Sequence, residues 1–435
     1  MKILKVIHGY PMRYNAGSEV YSQTLCHGLV QKGHEVAVFS RYENPFEPEY
    51  AQRTEQDHLK PEIKLHLINI TRSKDRYRHD EVDHAFGELL AQFQPDVVHV
   101  GHLNHLSTSL ISEAKRVGVP VVFTLHDYWM ICPRGQFMQF NIGETEPWQD
   151  CDGQQDQQCA SKCYSRYISG GESSESDLDY WKNWVNQRMA HSHDIMDQVD
   201  LFVAPAKYLK DRFVAAGLSE SKVRYLDYGF DLSRFKEPAP RPERSFTFGY
   251  IGRHVPAKGI HLLIRAFGQI KGNQRLIIWG RPQGDVTPFL KEEINRLPTE
   301  RQQRIEFRAE YENQNIQAEV FDHADAIVVP SIWVENSPLV IHEAQQAKVT
   351  VITSNVGGMA EYVHHEKNGL LFEHRSSLDL AKQMQRLAGD LNWAQRLGKQ
   401  GYPYHEQGRI PCLDEHISEI EAIYHSLNSN KMEQR

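Results

Sequence analysis

A chain of 435 residues is longer than one hydrophobic core usually organises, so two domains are expected. With 40% hydrophobic and 24% charged residues the composition is that of a globular protein, and a formal net charge of −8 excludes a general nucleic-acid binder while allowing a local basic patch. No uninterrupted apolar run reaches the roughly 18 residues of a membrane span, and Met1 to Gly9 reads as a strand and not as a signal peptide; a cytoplasmic location is expected, compatible with peripheral contact at the inner face of a membrane.

In chain order, Ile3 to Ile7 is a short apolar strand, followed by a turn-rich stretch from Gly9 to Gly17 and a helical pattern through Val20, Tyr21, Leu25, Leu29 and Val30. Val36 to Ser40, Leu65 to Ile70, Val97 to Val100 and Val119 to Leu125 read as further strands, with helical segments between Asp80 and Phe93 and between Leu106 and Val117. This alternation predicts a parallel, doubly wound α/β sheet.

The rhythm stops over residues 131–179, which are rich in Gln, Gly, Ser, Asp and Cys and too long for an ordinary loop. Four of the six cysteines, Cys132, Cys151, Cys159 and Cys163, fall there. Three readings are open: a structural zinc site of four thiolates, disulfides, or reduced thiols without a ligand. Trp148, Tyr164, Tyr167 and Trp181 suit either the small core that an ordered insertion needs, which is the favoured reading, or a surface for stacking on a sugar ring.

The rhythm resumes with a helix near Tyr180 to Met196, a strand Leu201 to Ala204, a helix Lys207 to Ala216 and a strand Val223 to Leu226. The basic and apolar residues of that second helix, Lys207, Lys210, Arg212, Leu209 and Phe213, fit a solvated amphipathic helix better than a membrane-touching one. Pro238, Pro240 and Pro242 then mark a linker. The expected division is a first domain over 1–232, a linker over 233–244, a second domain over 245–412, and a terminal helix over 413–435 that is able to pack on the first domain.

The second domain repeats the pattern, with strands at Phe246 to Ile251, Leu276 to Trp279, Ile305 to Phe307, Ala326 to Val329 and Val349 to Ile352, and helices at Ile260 to Ile270, Ile316 to His323 and Leu339 to Ala347. Two such domains face each other across a cleft, and ligands of open α/β sheets sit at the carboxyl ends of the strands. One such end is the stretch Pro330 to Glu343, where Asn336 and Ser337 are candidate caps and Pro338 suits a first helical turn. At about 1.5 Å per helical residue, Glu335 and Glu343 lie roughly 12 Å apart, so they suit two ends of one elongated ligand better than joint attack on one bond. The plainer reading is a capping Glu335 and a solvated Glu343. Gly252-Arg253 and Lys258-Gly259 place two cations where a strand meets a helix, which suits a diphosphate or merely an ordinary solvent-facing loop. Val356-Gly357-Gly358 follows another strand end. No Walker loop and no Gly-x-Gly-x-x-Gly fingerprint occurs.

In order and spacing these residues resemble a known family, the retaining nucleotide-sugar glycosyltransferases with two Rossmann-like domains (GT-B), glycosyltransferase family 4. The similarity runs from Ala16-Gly17-Ser18-Glu19 to Asn368-Gly369-Leu370-Leu371-Phe372, and its most specific part is Pro330-Ser331 with the E-x7-E element Glu335 to Glu343. The resemblance implies that Glu343 binds the donor's ribose hydroxyls, that Arg253 and Lys258 hold its diphosphate, and that Glu335 lies near the transferred sugar. It further implies that Asn336, Ser337, Pro338 and Leu339 form the segment whose main-chain amides line sugar and phosphate, and that Gly17, Gly252 and Arg308 belong to the donor site. His126 matches a histidine close to the sugar. Transfer of a hexose, most simply from a UDP-sugar, to a glycan or lipid-linked polysaccharide precursor is the implied activity, with no metal cofactor required. The alternatives are a same-fold synthase of a small soluble glycoside and a catalytically silent nucleotide-sugar-binding regulator or assembly subunit. Ser18 stands where the family often has a second glycine.

Overall fold

The computed structural model describes every residue except 72–76, 142–147, 165–173, 232, 239–244, 283, 285, 402–411 and 434–435. Tyr167, Pro240 and Pro242, named above, lie outside the described residues. The chain forms two units, Met1–Gly229 together with Cys412–Arg435, and Phe230–Pro411.

In the first unit β1 (Lys2–Val6), β2 (Glu35–Tyr42), β3 (Gln52–Gln56), β4 (Lys64–Asn69), β5 (Val97–Val100) and β6 (Val121–Thr124) are followed by a separate antiparallel hairpin of β7 (Met138–Phe140) and β8 (Trp148–Asp150), and then by β9 (Leu201–Ala204) and β10 (Val223–Tyr225). The main sheet runs β10-β9-β6-β5-β1-β2-β4-β3. Only β3 is antiparallel to its neighbour. Its sequence, Gln-Arg-Thr-Glu-Gln, has no apolar alternation, because an edge strand half open to water needs none; that is why the sequence pattern does not reveal it. β5 and β6 are buried along their whole length and read as continuous apolar runs, as strands covered on both faces do.

The second unit holds β11 (Thr247–Ile251), β12 (Arg275–Trp279), β13 (Ile305–Arg308), β14 (Ala326–Val329), β15 (Thr350–Ser354) and β16 (Gly369–Phe372), ordered β13-β12-β11-β14-β15-β16 and parallel throughout. Successive residues serve opposite faces. Leu276, Ile278, Val328 and Ile352 join one core with Leu263, Phe267, Leu380 and Leu387. Ile277, Trp279, Ile327 and Val351 join the other with Ile341, Ala344 and Met359. The expected helix from Ile316 to His323 is broken: Ile316–Glu319 ends where Val320 leaves helical geometry, and a 3₁₀ turn Phe321–His323 follows. Ile316 and Val320, four residues apart, would share a face of a continuous helix; the break lets Phe321, about 100° further round, reach the same core.

The C-terminal helix Leu413–Glu433 packs in the first unit against the helix Gly17–Gln31, with Ile417 set against Gly28 and His416 bonded to the Tyr21 hydroxyl at 2.9 Å. Among the described residues no helix is long and apolar enough to cross a membrane. The apolar residues of the helix Lys207–Ala215, Leu209 and Phe213, are fully buried, and Lys210 is paired with Glu220.

Candidate functional site

β14 ends at Val329, and the segment after it turns through Pro330 to Pro338 into the eight-residue helix Leu339–Gln346. The N-cap is Pro338, and no side chain caps the helix. The expectation that Asn336 or Ser337 does so is therefore corrected. The Ser337 hydroxyl instead meets Nε2 of the buried His342 at 2.8 Å, a bond made one turn further along. The helix-rise estimate also needs revision, because Glu335 stands before the helix and only Leu339 onward is helical. The N-cap residue itself supplies no side-chain oxygen to the first N–H groups of the helix.

Glu335 is 5% exposed. Its carboxylate accepts from Lys258 Nζ at 2.8 Å and from the Ser331 hydroxyl. The cation loop is brought to it by backbone: the Ile332 N–H donates to the Ala257 carbonyl at 2.9 Å. Gly259, with φ +66°, lies so close to this segment that a Cβ would stand 1.9 Å from the Pro330 carbonyl oxygen. Gly358 is tighter still, its would-be Cβ 1.2 Å from the Asn336 oxygen, while its N–H donates to the Glu335 carbonyl at 2.9 Å. Three loops, after β11, β14 and β15, thus lock around one carboxylate and one ammonium. Arg253 is exposed, its carbonyl accepting from the Tyr250 hydroxyl, and it pairs with no acid among the described residues.

Glu343 faces a different neighbourhood. Arg234, within the stretch read as a linker, reaches it at 3.6 Å. Arg234 also donates to the Asn313 carbonyl, and the adjacent Phe235 is buried in the core. Burial pushes the Glu343 carboxyl up to about 7, with Arg234 pulling the other way. Tyr311 is pushed upward as well, by burial and then by Glu343. Arg234 is missed by sequence reasoning, because it hides in a proline-rich context that suggests no fold at all. Arg308, at the end of β13, is held by Glu306 at 2.7 Å, and Gly252 follows β11 with its N–H on the Trp279 carbonyl.

In the first unit His126 follows β6, and its Nδ1 lies 2.8 Å from the Tyr228 hydroxyl. Burial, then the neighbouring Lys5 and His102, hold the imidazole well below its usual pKa, so it is neutral. Gly17 opens the helix Gly17–Gln31 after the N-cap Ala16. Ser18 turns its hydroxyl to Glu19, which pairs with His8 at 3.3 Å. Cys132, Cys151, Cys159 and Cys163 all line one cavity of about 10 Å³, yet among the described residues no three acidic, histidine or cysteine side chains are placed to hold a metal ion. The cysteines therefore do not fit the four-thiolate zinc site, and Cys159 and Cys163 instead pack with Tyr164, Trp181, Val185 and Met189 in a small core.

Two family models match this chain: Glycosyltransferase Family 4 over residues 16–234 and Glycosyl transferases group 1 over residues 232–403. A relative from Klebsiella pneumoniae, described as an uncharacterized 42.6 kDa protein in cps region, is 23% identical over 81% of this chain and 84% of its own length. A GDP-mannose-dependent alpha-(1-6)-phosphatidylinositol monomannoside mannosyltransferase from Mycobacterium tuberculosis is 27% identical over 48% of this chain and 57% of its own. Among solved structures, Anabaena HepE in complex with UDP and glucose superposes with a TM-score of 0.66 at 16% identity, covering 98% of this chain and 100% of that one. With the family 4 model spanning half the chain and the group 1 model nearly all of the second unit, the protein belongs to glycosyltransferase family 4 and is a retaining glycosyltransferase of GT-B fold.

Proposed function

We propose that the chain moves a hexose from a UDP-linked donor to a hydroxyl of a glycan or lipid-linked polysaccharide precursor, with no metal in the transfer step. The observation that carries this reading is the Lys258–Glu335 pair, held beside the start of the helix Leu339–Gln346. Anions are favoured at such a helix start, and a cation alongside suits a diphosphate. In this reading Lys258 and Arg253 take the diphosphate, the segment from Asn336 to Leu339 lines sugar and phosphate, Glu335 faces the transferred sugar, and Glu343 accepts from the ribose hydroxyls. Arg308, paired with Glu306 at the end of β13, belongs to the donor site in the same reading.

Transfer occurs on one face of the sugar. The bond from the anomeric carbon to the diphosphate oxygen breaks as the bond to the acceptor oxygen forms, and the departing oxygen takes the acceptor's proton. Negative charge grows on the diphosphate, so fixed cations there lower the barrier. Neutral His126 aligns the reactants and is not the base.

The UDP and glucose bound by the Anabaena structure support the UDP donor, and the cps-region description of the Klebsiella relative supports a polysaccharide acceptor. The mycobacterial relative favours a second reading, a GDP-mannose donor. Nucleotide release from UDP-glucose, UDP-galactose and GDP-mannose, measured without acceptor, separates them. Slow release from a UDP-hexose is expected; release from GDP-mannose alone would replace the donor, and tight binding without release would leave a sensor in place of an enzyme.

A further inference from the structure

The insertion contributes to a cavity of about 200 Å³ in the first unit that the donor chemistry leaves unused. Tyr77, Trp129, Tyr164 and Trp184 wall it, and two guanidinium groups, Arg134 and Arg188, line it. Pockets that bury drug-sized molecules run to roughly 300–1,000 Å³, so this one admits a single sugar ring and not an oligosaccharide.

Arg188 is 1% exposed. It lies 4.4 Å over the Trp129 ring, and donates to the Trp129 carbonyl and to Met189 Sδ at 2.8 Å. A guanidinium has five donors, and among the described residues no carboxylate is within ion-pair distance of this one. The nearby carboxylate of Asp127 is already taken, by His102 at 3.2 Å and by the Trp129 N–H at 2.8 Å. Arg134 adds a buried Nη1 with no hydrogen-bond partner among the described residues, its guanidinium 5.5 Å from the Trp148 ring. A buried charge without a counter-charge is costly, and an anion entering the cavity removes that cost. Burial also pulls the Arg188 pKa down, the same imbalance seen as a titration.

We propose that this cavity binds an acceptor sugar ring that carries an anionic group, a carboxylate or a phosphate, with the ring's C–H faces against the aromatic walls and the anion between Arg134 and Arg188. Naming the ligand an acceptor rests on the proposed function; the preference for an anionic sugar does not. Trp129 sits on the loop that begins at His126, so a sugar held there lies on the chain segment assigned to alignment of the reactants.

The test is titration calorimetry of the full chain with methyl β-D-glucuronide, glucose 6-phosphate, methyl β-D-glucoside and inorganic phosphate, with UDP-glucose titrated separately. At least one anionic sugar is expected to bind, about 10- to 100-fold more tightly than the glucoside, the ratio expected of charge-assisted hydrogen bonds. Which of the two binds identifies the anion. Arg134→Gln and Trp184→Ala are each expected to weaken that binding about tenfold or more, to leave UDP-glucose binding unchanged, and to keep the unfolding transition of the first unit in scanning calorimetry, which reports that the variants fold. Equal binding of the glucoside, equal binding of inorganic phosphate, undiminished binding in both variants, or no saturable binding of either anionic sugar would each overturn the inference. Absence of UDP-glucose binding in the parent chain would count against the proposed donor alone.

Discussion

Glu343 is an acid placed where it is reluctant to be charged, and its proposed partner, a ribose, donates hydrogen bonds best received by a carboxylate. With its folded pKa near 7 against an ordinary 4.5, the folded protein holds a proton there that the unfolded chain has released. Ionisation of Glu343 therefore costs stability as pH rises from the ordinary carboxyl value to about 7, and costs no more above it. Donor binding runs the opposite way. Below pH 7, UDP-glucose affinity is expected to fall by about tenfold per pH unit as the carboxylate is lost. Calorimetry between pH 5.5 and 8 on wild type and Glu343→Gln checks this: the slope must vanish in the variant, and Arg234→Ala must move the midpoint to higher pH, since Arg234 is the charge that opposes the rise. At Arg253 and Lys258 the expected effect is on rate. Replacing either with Ala should slow transfer by roughly 100- to 1,000-fold, the loss typical of one preorganised donor to a developing anion. Near-normal turnover in both variants would refute the role given to them.

The three loops after β11, β14 and β15, two of them glycine-bearing, form the element on which those residues depend. Gly358 is the tightest point, since any Cβ there overlaps the Asn336 carbonyl. Gly358→Ala is expected to cost roughly 3 kcal/mol, the upper end of ordinary single-site losses, and to displace Glu335 along with its carbonyl. Urea unfolding gives the first quantity and UDP-glucose affinity the second; loss of stability with affinity retained would mean the loop carries no ligand. At this scale the sequence was legible where pattern and packing agree. The apolar runs of β5, β6 and β14 and the Gly-Arg and E-x7-E spacings are local signals, written in adjacent residues. β3 was not legible, because a polar edge strand has no period to read. The helices Ser377–Ala388 and Leu391–Lys399 did leave a signal, Ser376 and Asp390 each capping through the N–H three residues on, but it sits outside the family motifs. Arg234 and the Arg188 cavity were illegible for another reason: each is an encounter between residues far apart in the chain, and spacing does not report such encounters.

For the molecule as a whole, the chain returns to its beginning. The helix Leu413–Glu433 completes the first unit after the second has been built, and it does so through side chains with almost no exposure: Ile417, Ile420, Ile423 and Tyr424. Tyr424 meets Nδ1 of the fully buried His99 at 2.5 Å, and His99 reaches the Thr124 hydroxyl at 2.7 Å, so the helix is tied to β5 and β6, the strand pair that precedes His126. Gly28 lets Ile417 approach the helix Gly17–Gln31, where any larger residue would collide with it. Four such side chains at about 1.5–3 kcal/mol each amount to roughly 6–12 kcal/mol, the size of a typical domain's entire stability. A chain ending at residue 411 should therefore lose the folded first unit while the second, whose cores draw nothing from the helix, keeps its own transition. Differential scanning calorimetry of the truncated and full chains reads this directly. Two surviving transitions in the truncated chain would mean that the first unit folds without its last helix, and that His126 and the loop behind it do not owe their placement to the end of the chain.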